Sequence, residues 1–277
     1  IYAATTSSAE RMVLRDRGRI APGRLADIVV LDDLQGLHVE GVYKRGALVR
    51  DTGFEPARHD FPDAYYESVH LAPRTVGDFR LEAPAGAGAT VTVRTMGVQT
   101  RSTFTADVPV ELAVGADGLV DWKAPGSLAL ARVFERHHKT GNVGTALLSG
   151  ACLRRGAVAS TWVHDHHNLL VVGCDEADMA LAANTIIEGE GGICAVLDGR
   201  VVAHLPLPVA GILTEEPLDA AAEKLAGVTN ALRDLGWGNV NPVMSLCTIG
   251  LPVSPALKVT DQGLVDVRAG RIVPLFE

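Results

Sequence analysis

What most limits the folds open to this chain is a succession of short apolar runs. From about residue 78 they fall at 91–96, 128–134, 145–148, 157–161 and 169–172, each the length of a strand rather than of a helix. Two longer segments interrupt them. Asp175 to Glu188 reads as a helix: Asp175 sits at the N-cap, acids fill the first turn, Gly189 follows the last, and Met179, Leu181, Ala182, Ile186 and Ile187 line one side. Glu216-Pro217 opens a second helix that runs to Leu235 and stops at Gly236. Between them, Ile193–Leu197 and Val201–Leu205 flank Asp198-Gly199, a type I′ hairpin signal. Beyond Gly236, Pro, Gly and short apolar runs alternate, and these are expected to be strands and turns that close the sheet. The mixture specifies an α+β chain.

The first 52 residues have a different character. Residues 1–17 read as a helix tail, and Gly18 to Asp27 is turn-rich around Pro22-Gly23. Strands are expected at Ile28–Leu31, Val39–Tyr43 and Ala47–Val49, the last two joined by a tight Lys44-Arg45-Gly46 turn. Three short strands with no covered face make a poor sheet, so this edge is expected to pair with strands from elsewhere. The first residue is Ile1 rather than Met, which reads as a chain that is processed, trimmed or a piece of something larger. Residues 53–77 carry Pro56, Pro62 and Pro73 with no clean period, and read as a linker wrapping over a surface. Residues 78–277 then form the main domain.

Composition narrows the function. With 25 Lys+Arg against 33 Asp+Glu the formal charge is -8, which works against the counterion release that drives non-specific nucleic-acid binding. Thirteen scattered aromatics suggest no base-stacking platform. No apolar run approaches the ~20 residues needed to span a bilayer, so no membrane partner is expected and a cytoplasmic address is. Cys152, Cys174, Cys194 and Cys247 stand at least 20 residues apart in apolar surroundings. They read as buried, reduced hydrophobes and not as a zinc ribbon or dithiol.

Chemistry-bearing residues concentrate in two places. One is Glu135-Arg136-His137-His138-Lys139-Thr140-Gly141-Asn142-Val143-Gly144; the other is His164-Asp165-His166-His167-Asn168. Together they hold five of the nine histidines. A histidine beside a carboxylate can serve as general base, proton shuttle or metal ligand. On an extended chain His164 and His166 would share a side and could chelate a divalent ion. They could equally line a domain interface or hydrogen-bond locally, and no barrel of ~250 residues fits around them. Glu135-Arg136 reads as a surface ion pair at a strand end, and Thr140-Gly141-Asn142 as a possible anion-binding nest. Nucleophile-elbow, Walker, dinucleotide and nucleobase-deaminase zinc motifs are all absent.

Several of these stretches carry a family resemblance. Gly18 to Leu31 resembles the point where amidohydrolase-superfamily chains leave the barrel and return to a small β-sandwich. Glu135-Arg136-His137-His138-x-Thr140-Gly141-Asn142-x-Gly144, His164-Asp165-x-His167-Asn168, Gly191-Gly192-Ile193, Leu205 to Gly211 and Asp261-x-Gly263-Leu264-Val265-Asp266-Val267 are together similar to the carboxy-terminal portion of the bacterial adenine deaminases. The resemblance implies the tail of an amidohydrolase barrel and a β-sandwich, followed by a mixed α/β carboxy-terminal domain. It implies hydrolysis of adenine to hypoxanthine and ammonia in purine salvage. It also implies a homo-oligomer, and a binuclear divalent metal site (manganese or iron, zinc possible) in an upstream barrel that activates water. The family's barrel ligands precede this chain, so no metal ligand is carried over, and the chain alone is expected to bind no metal and to be inactive. His164, Asp165, His167 and Asn168, with Glu135, His137 and His138 nearby, are the candidates for a polar wall that contacts substrate or relays protons. The rival expectation is a non-catalytic capping or oligomerisation module.

Overall fold

The computed structural model describes residues 1–51 and 60–277. Residues 53–59 of the expected linker lie outside the described residues. The chain divides into two compact units, Ile1–His59 and Asp60–Glu277.

The first unit begins with a short 3₁₀ turn and α1 (Thr6–Arg11), less helix than residues 1–17 lead one to expect. Strands β1 (Ile28–Leu31), β2 (Val39–Lys44) and β3 (Ala47–Leu48) follow as an antiparallel sheet. Arg45 and Gly46 turn the β2–β3 hairpin with φ of 51° and 84°, the left-handed pair that a tight hairpin demands. Asp27 fixes the base of this sheet, accepting from Arg17 Nη1 at 3.0 Å, Lys44 Nζ at 2.7 Å and the Arg45 N–H at 3.0 Å. Among the described residues of this unit only Ala9 is buried, while Val29, Val30, Val39 and Val42 are all exposed.

The second unit is built on one eight-stranded mixed sheet. Its strands are β4 (Thr90–Val98), β5 (Thr105–Ala113), β6 (Ala129–Phe134), β7 (Val143–Gly150), β8 (Ala157–Ser160), β9 (Leu169–Gly173), β10 (Gly192–Leu197) and β11 (Arg200–Pro206). They lie in the order β11-β10-β8-β9-β6-β7-β4-β5, antiparallel throughout except where β4 meets β7. The central strands read as unbroken apolar runs because both of their faces are covered. On one face Leu130, Phe134, Leu169 and Val171 pack with Phe79, Trp122 and the Met179, Ala182 and Ile186 side of α2 (Glu176–Glu188). On the other, Ala131, Val133, Leu170 and Val172 meet α3 (Leu218–Asp234), α4 (Pro242–Cys247) and a second small sheet.

Local signals behave as the sequence dictates. Asp175 caps α2 through the Ala177 and Asp178 N–H groups, and Asp198 and Gly199 take φ of 51° and 72° at the β10–β11 turn. Asp178, one turn into α2, accepts from the N–H groups of both turn residues, so the helix and the hairpin fix one another. Two expectations need correction. Strand β5 was hidden by Pro109, which is tolerated because β5 is the sheet's edge. The final strands β12 (Leu257–Thr260), β13 (Gly263–Asp266) and β14 (Arg271–Val273) form their own antiparallel sheet. They do not extend the large one; Leu257, Val259 and Leu264 are instead buried against its face.

Residues 60–77 cross the second unit under close control. Asn184 in α2 accepts from the Arg74 N–H and donates to the Arg74 carbonyl. Glu190 accepts from the Ser68 and Val69 N–H groups, both at 2.9 Å. Among the described residues no helix is long and apolar enough to cross a membrane.

Candidate functional site

Sheet register brings the two histidine-bearing segments together. Phe134 at the end of β6 is paired with both Leu169 of β9 and Val143 of β7. The loop 135–142 and the turn 161–168 therefore leave the sheet side by side. Residues 207–211 after β11, the 66–70 segment and the β12–β13 turn at Asp261 complete the corner through the contacts below.

Glu135 and Arg136 are not a surface ion pair. They are 6% and 1% exposed, and each is spent on backbone. Glu135 Oε1 accepts from the His137 and His138 N–H groups at 2.6 and 2.8 Å; Oε2 accepts from the Thr140 N–H and hydroxyl at 3.1 and 3.2 Å. A cradle of N–H groups does form, but from His137, His138 and Thr140 and not from the expected Thr140-Gly141-Asn142 stretch, and it is filled by the chain's own Glu135 carboxylate. Burial alone would raise the Glu135 pKa, but the three backbone N–H donors outweigh it and hold the group down at about 2.

Arg136 binds three carbonyls from three segments. Nε donates to His167 O at 2.5 Å, Nη1 to Ser68 O at 2.7 Å and Nη2 to Ala210 O at 2.9 Å. Gly211 lies against the guanidinium, where a Cβ would come within 2.8 Å of Cζ, and its φ is +74°. Glycine is required there on both counts.

Asn168 is 3% exposed and bridges the loops. Its Oδ1 accepts from the Arg136 N–H at 3.2 Å and its Nδ2 donates to Asp261 Oδ1 at 3.1 Å. Asp261 Oδ2 also accepts from Asn142 at 3.2 Å. The geometry expected of His164-Asp165-His166 does not occur: these residues form a turn and not an extended strand. His166 folds inward, its Nδ1 accepting from the Asn168 N–H at 3.0 Å and its ring packed on Gly250. Burial pulls its pKa down to about 4. His137 Nε2 donates to the His166 carbonyl at 3.0 Å.

Half-buried imidazoles remain at the rim. His164 and His167 stack edge to face with centroids 6.1 Å apart, and Trp162 lies 6.0 Å from His164. Burial, then the neighbouring His164, lowers the His167 pKa; burial, then Arg136, lowers that of His137. All three rings are half-buried, while His138 and Asp165 are exposed. His137 spends its Nε2 on the His166 carbonyl and the His167 Nδ1 is buried, so each of these two rings has its other nitrogen left for the rim. Of the seven candidates, then, Glu135 and Asn168 are scaffold, and His137, His138, His164, Asp165 and His167 are available at the surface. Sequence reasoning overlooked Arg136 as an organiser, together with Asp261, Asn142, Ser68 and Gly211. Asp261 and Asn142 were visible in their motifs; nothing in the stretch around Ser68 marked it.

Among the described residues no three His, Cys, Asp or Glu side chains gather to hold a metal ion. The four cysteines are unpaired, and burial raises their pKa values to about 11 for Cys152 and about 12 for Cys174, Cys194 and Cys247, which leaves them poor nucleophiles.

Comparison with known proteins follows the same motifs. The family model described as adenine deaminase C-terminal domain matches residues 102–271. Adenine deaminase of Clostridium perfringens (strain 13 / Type A) is 42% identical over 283 residues, covering 100% of this chain and 49% of the relative. Adenine deaminase 2 of Shouchella clausii is 46% identical over 280 residues, covering 100% and 48%. Adenine deaminase of Moorella thermoacetica is 41% identical over 281 residues, covering 100% and 47%. The chain spans about half the length of these curated relatives. A mixed α/β domain with this corner, matched by the family model over more than half its length, belongs to the adenine deaminase C-terminal domain family.

Proposed function

We propose that this chain is the carboxy-terminal part of a metal-dependent adenine deaminase, a hydrolase that converts adenine and water to hypoxanthine and ammonia. In this reading the metal ligands belong to the amidohydrolase barrel, in the half of the relatives that the chain does not span. The first unit is the end of that barrel's last helix plus returning β-sandwich strands. Its exposed valines and near-total lack of buried residues support the reading, since a three-stranded sheet needs a covered face.

The observation that carries the proposal for the second unit is the corner itself. A buried scaffold of Glu135, Arg136 and Asn168, tied to the half-buried Asp261, holds His137, His164 and His167 at the surface, the His137 and His167 pKa values lowered and the His164 and His167 rings packed together. Such a wall suits the mouth of a hydrolytic site: held in place from behind and able to donate to or accept from purine nitrogens while excluding water. The test is His167→Ala with Asn168→Ala in the intact enzyme. A fall in kcat/KM for adenine of about tenfold or more is expected; an unchanged value removes the wall and leaves interface packing.

A second reading, a non-catalytic capping or oligomerisation module, draws on the exposed Val29, Val30, Val39 and Val42 of the first unit's sheet, a face that a partner could cover. Metal analysis and adenine turnover of this chain, with and without the barrel half, separate the two. Restoration of turnover only with the corner intact favours the enzyme part.

A further inference from the structure

Buried arginines are usually paired with a carboxylate, because an isolated charge is costly to desolvate. Arg136 is 1% exposed, yet its guanidinium bonds are to the carbonyls of His167, Ser68 and Ala210, with the Ser68 hydroxyl added at 3.0 Å. The Glu190 and Glu135 carboxylates act on its charge from nearby without bonding it, while the planar fork aimed at three carbonyls specifies the relative placement of three loops. Two of those loops are shaped around it. Gly211 has no room for a side chain because the guanidinium fills the space. His167 sits at φ +49°, unfavourable for a residue with a Cβ, and its N–H and carbonyl are both tied, to Val163 O at 2.8 Å and to Arg136.

We propose that Arg136 is a positioning residue: by gripping the His167 carbonyl between the 66–70 segment and the 207–211 loop, it sets where the His167 imidazole stands at the rim. The proposal rests on the reading of the corner as a wall beside the reaction. Electrostatics adds a second consequence. The groups acting on His167 are His164 and Asp165 in its own turn and Arg136 across from it; those acting on His137 are Arg136, Glu135 and His138. The guanidinium lowers the pKa of both rings, after burial in each case.

The test uses the full-length enzyme carrying Arg136→Lys or Arg136→Met. In Arg136→Met, amide hydrogen exchange at 66–70, 166–168 and 207–211 should rise together by about tenfold or more, while α2 and β9 stay protected. Its kcat should fall about tenfold with KM nearly unchanged, and the acid limb of kcat/KM should move to higher pH. Arg136→Lys keeps the charge but loses the fork, so the limb should stay in place while kcat is intermediate. If Arg136→Met does not fold, Arg136→Lys decides: wild-type exchange and kcat overturn the proposal. Exchange rising in one segment alone, or an acid limb unmoved in folded Arg136→Met, also overturns it. Should the His167/Asn168 double variant retain full kcat/KM, the wall is lost, and the exchange pattern reports separately whether Arg136 holds the turn.

Discussion

Glu135→Gln isolates the energetics of the corner. In the native protein one buried carboxylate accepts three backbone N–H groups and a hydroxyl, and its pKa drops from 4.5 to about 2. At ~1.4 kcal/mol per pH unit that is about 3 kcal/mol of folding free energy at neutral pH. A count of bonds agrees. Gln turns its NH₂ to the Oε2 side, where the Thr140 hydroxyl can rotate to accept but the Thr140 N–H loses its partner. One orphaned buried donor costs about 1–3 kcal/mol, and the remaining bonds lose their charge assistance. The sign follows from a lowered carboxylate pKa: the stabilisation is complete above pH 4.5 and disappears as the pH falls through about 2. The assay is urea unfolding followed by tryptophan fluorescence, since Trp122, Trp162 and Trp237 all report on the second unit. The wild type should exceed the variant by about 3 kcal/mol at pH 7 and by about 2 kcal/mol at pH 3.5. A gap below about 1 kcal/mol at pH 7, or one that does not narrow with acid, would refute the reasoning.

Two further outcomes follow from the same loops. Burial lowers the His166 pKa from 6.5 to about 4, so the ring is neutral in the fold and must charge in acid. Stability should be full above pH 6.5 and drop by about 3 kcal/mol on the way down to pH 4, a drop that His166→Asn should largely abolish in the same unfolding titration. Gly144, in β7, lies directly beneath the Thr260 carbonyl of β12, which a Cβ would overlap. Gly144→Ala should therefore cost about 2 kcal/mol or more by pushing the β12–β13 sheet off β7; a melting temperature equal to the wild type's would show that the small sheet adjusts freely.

Short-range grammar was legible in the sequence. Asp175 at the N-cap of α2, Asp198-Gly199 in the β10–β11 turn and Arg45-Gly46 in the β2–β3 turn each act through bonds and dihedrals within a few residues, so no tertiary information is needed to read them. Strand β5 was missed on account of Pro109, although Asp107, Pro109 and Glu111 alternate with Val108, Val110 and Leu112 at the period of a half-buried strand. Proline is acceptable there because β5 is an edge, and being an edge is a property of the sheet order. The fate of β12–β14 was hidden for a related reason. A short apolar strand is equally compatible with extending a sheet and with lying on its face; the burial of Leu257, Val259 and Leu264 decides for the face.

The candidate site divides along the same line. Motif spacing marked both histidine segments and, through resemblance, their family. What Arg136 and Asn168 do there was decided by partners far away in the chain, and what Glu135 does by the fold of its own loop. Arg136 looked like a surface charge until the Ser68 and Ala210 carbonyls closed over it, and Glu135 looked like its counter-ion until the next loop folded around the carboxylate. Composition and local pattern fix which groups a chain possesses and how each short segment bends. Only the assembled sheet determines which of those groups are desolvated, and desolvation separates the residues that hold this corner from the imidazoles left to act at it.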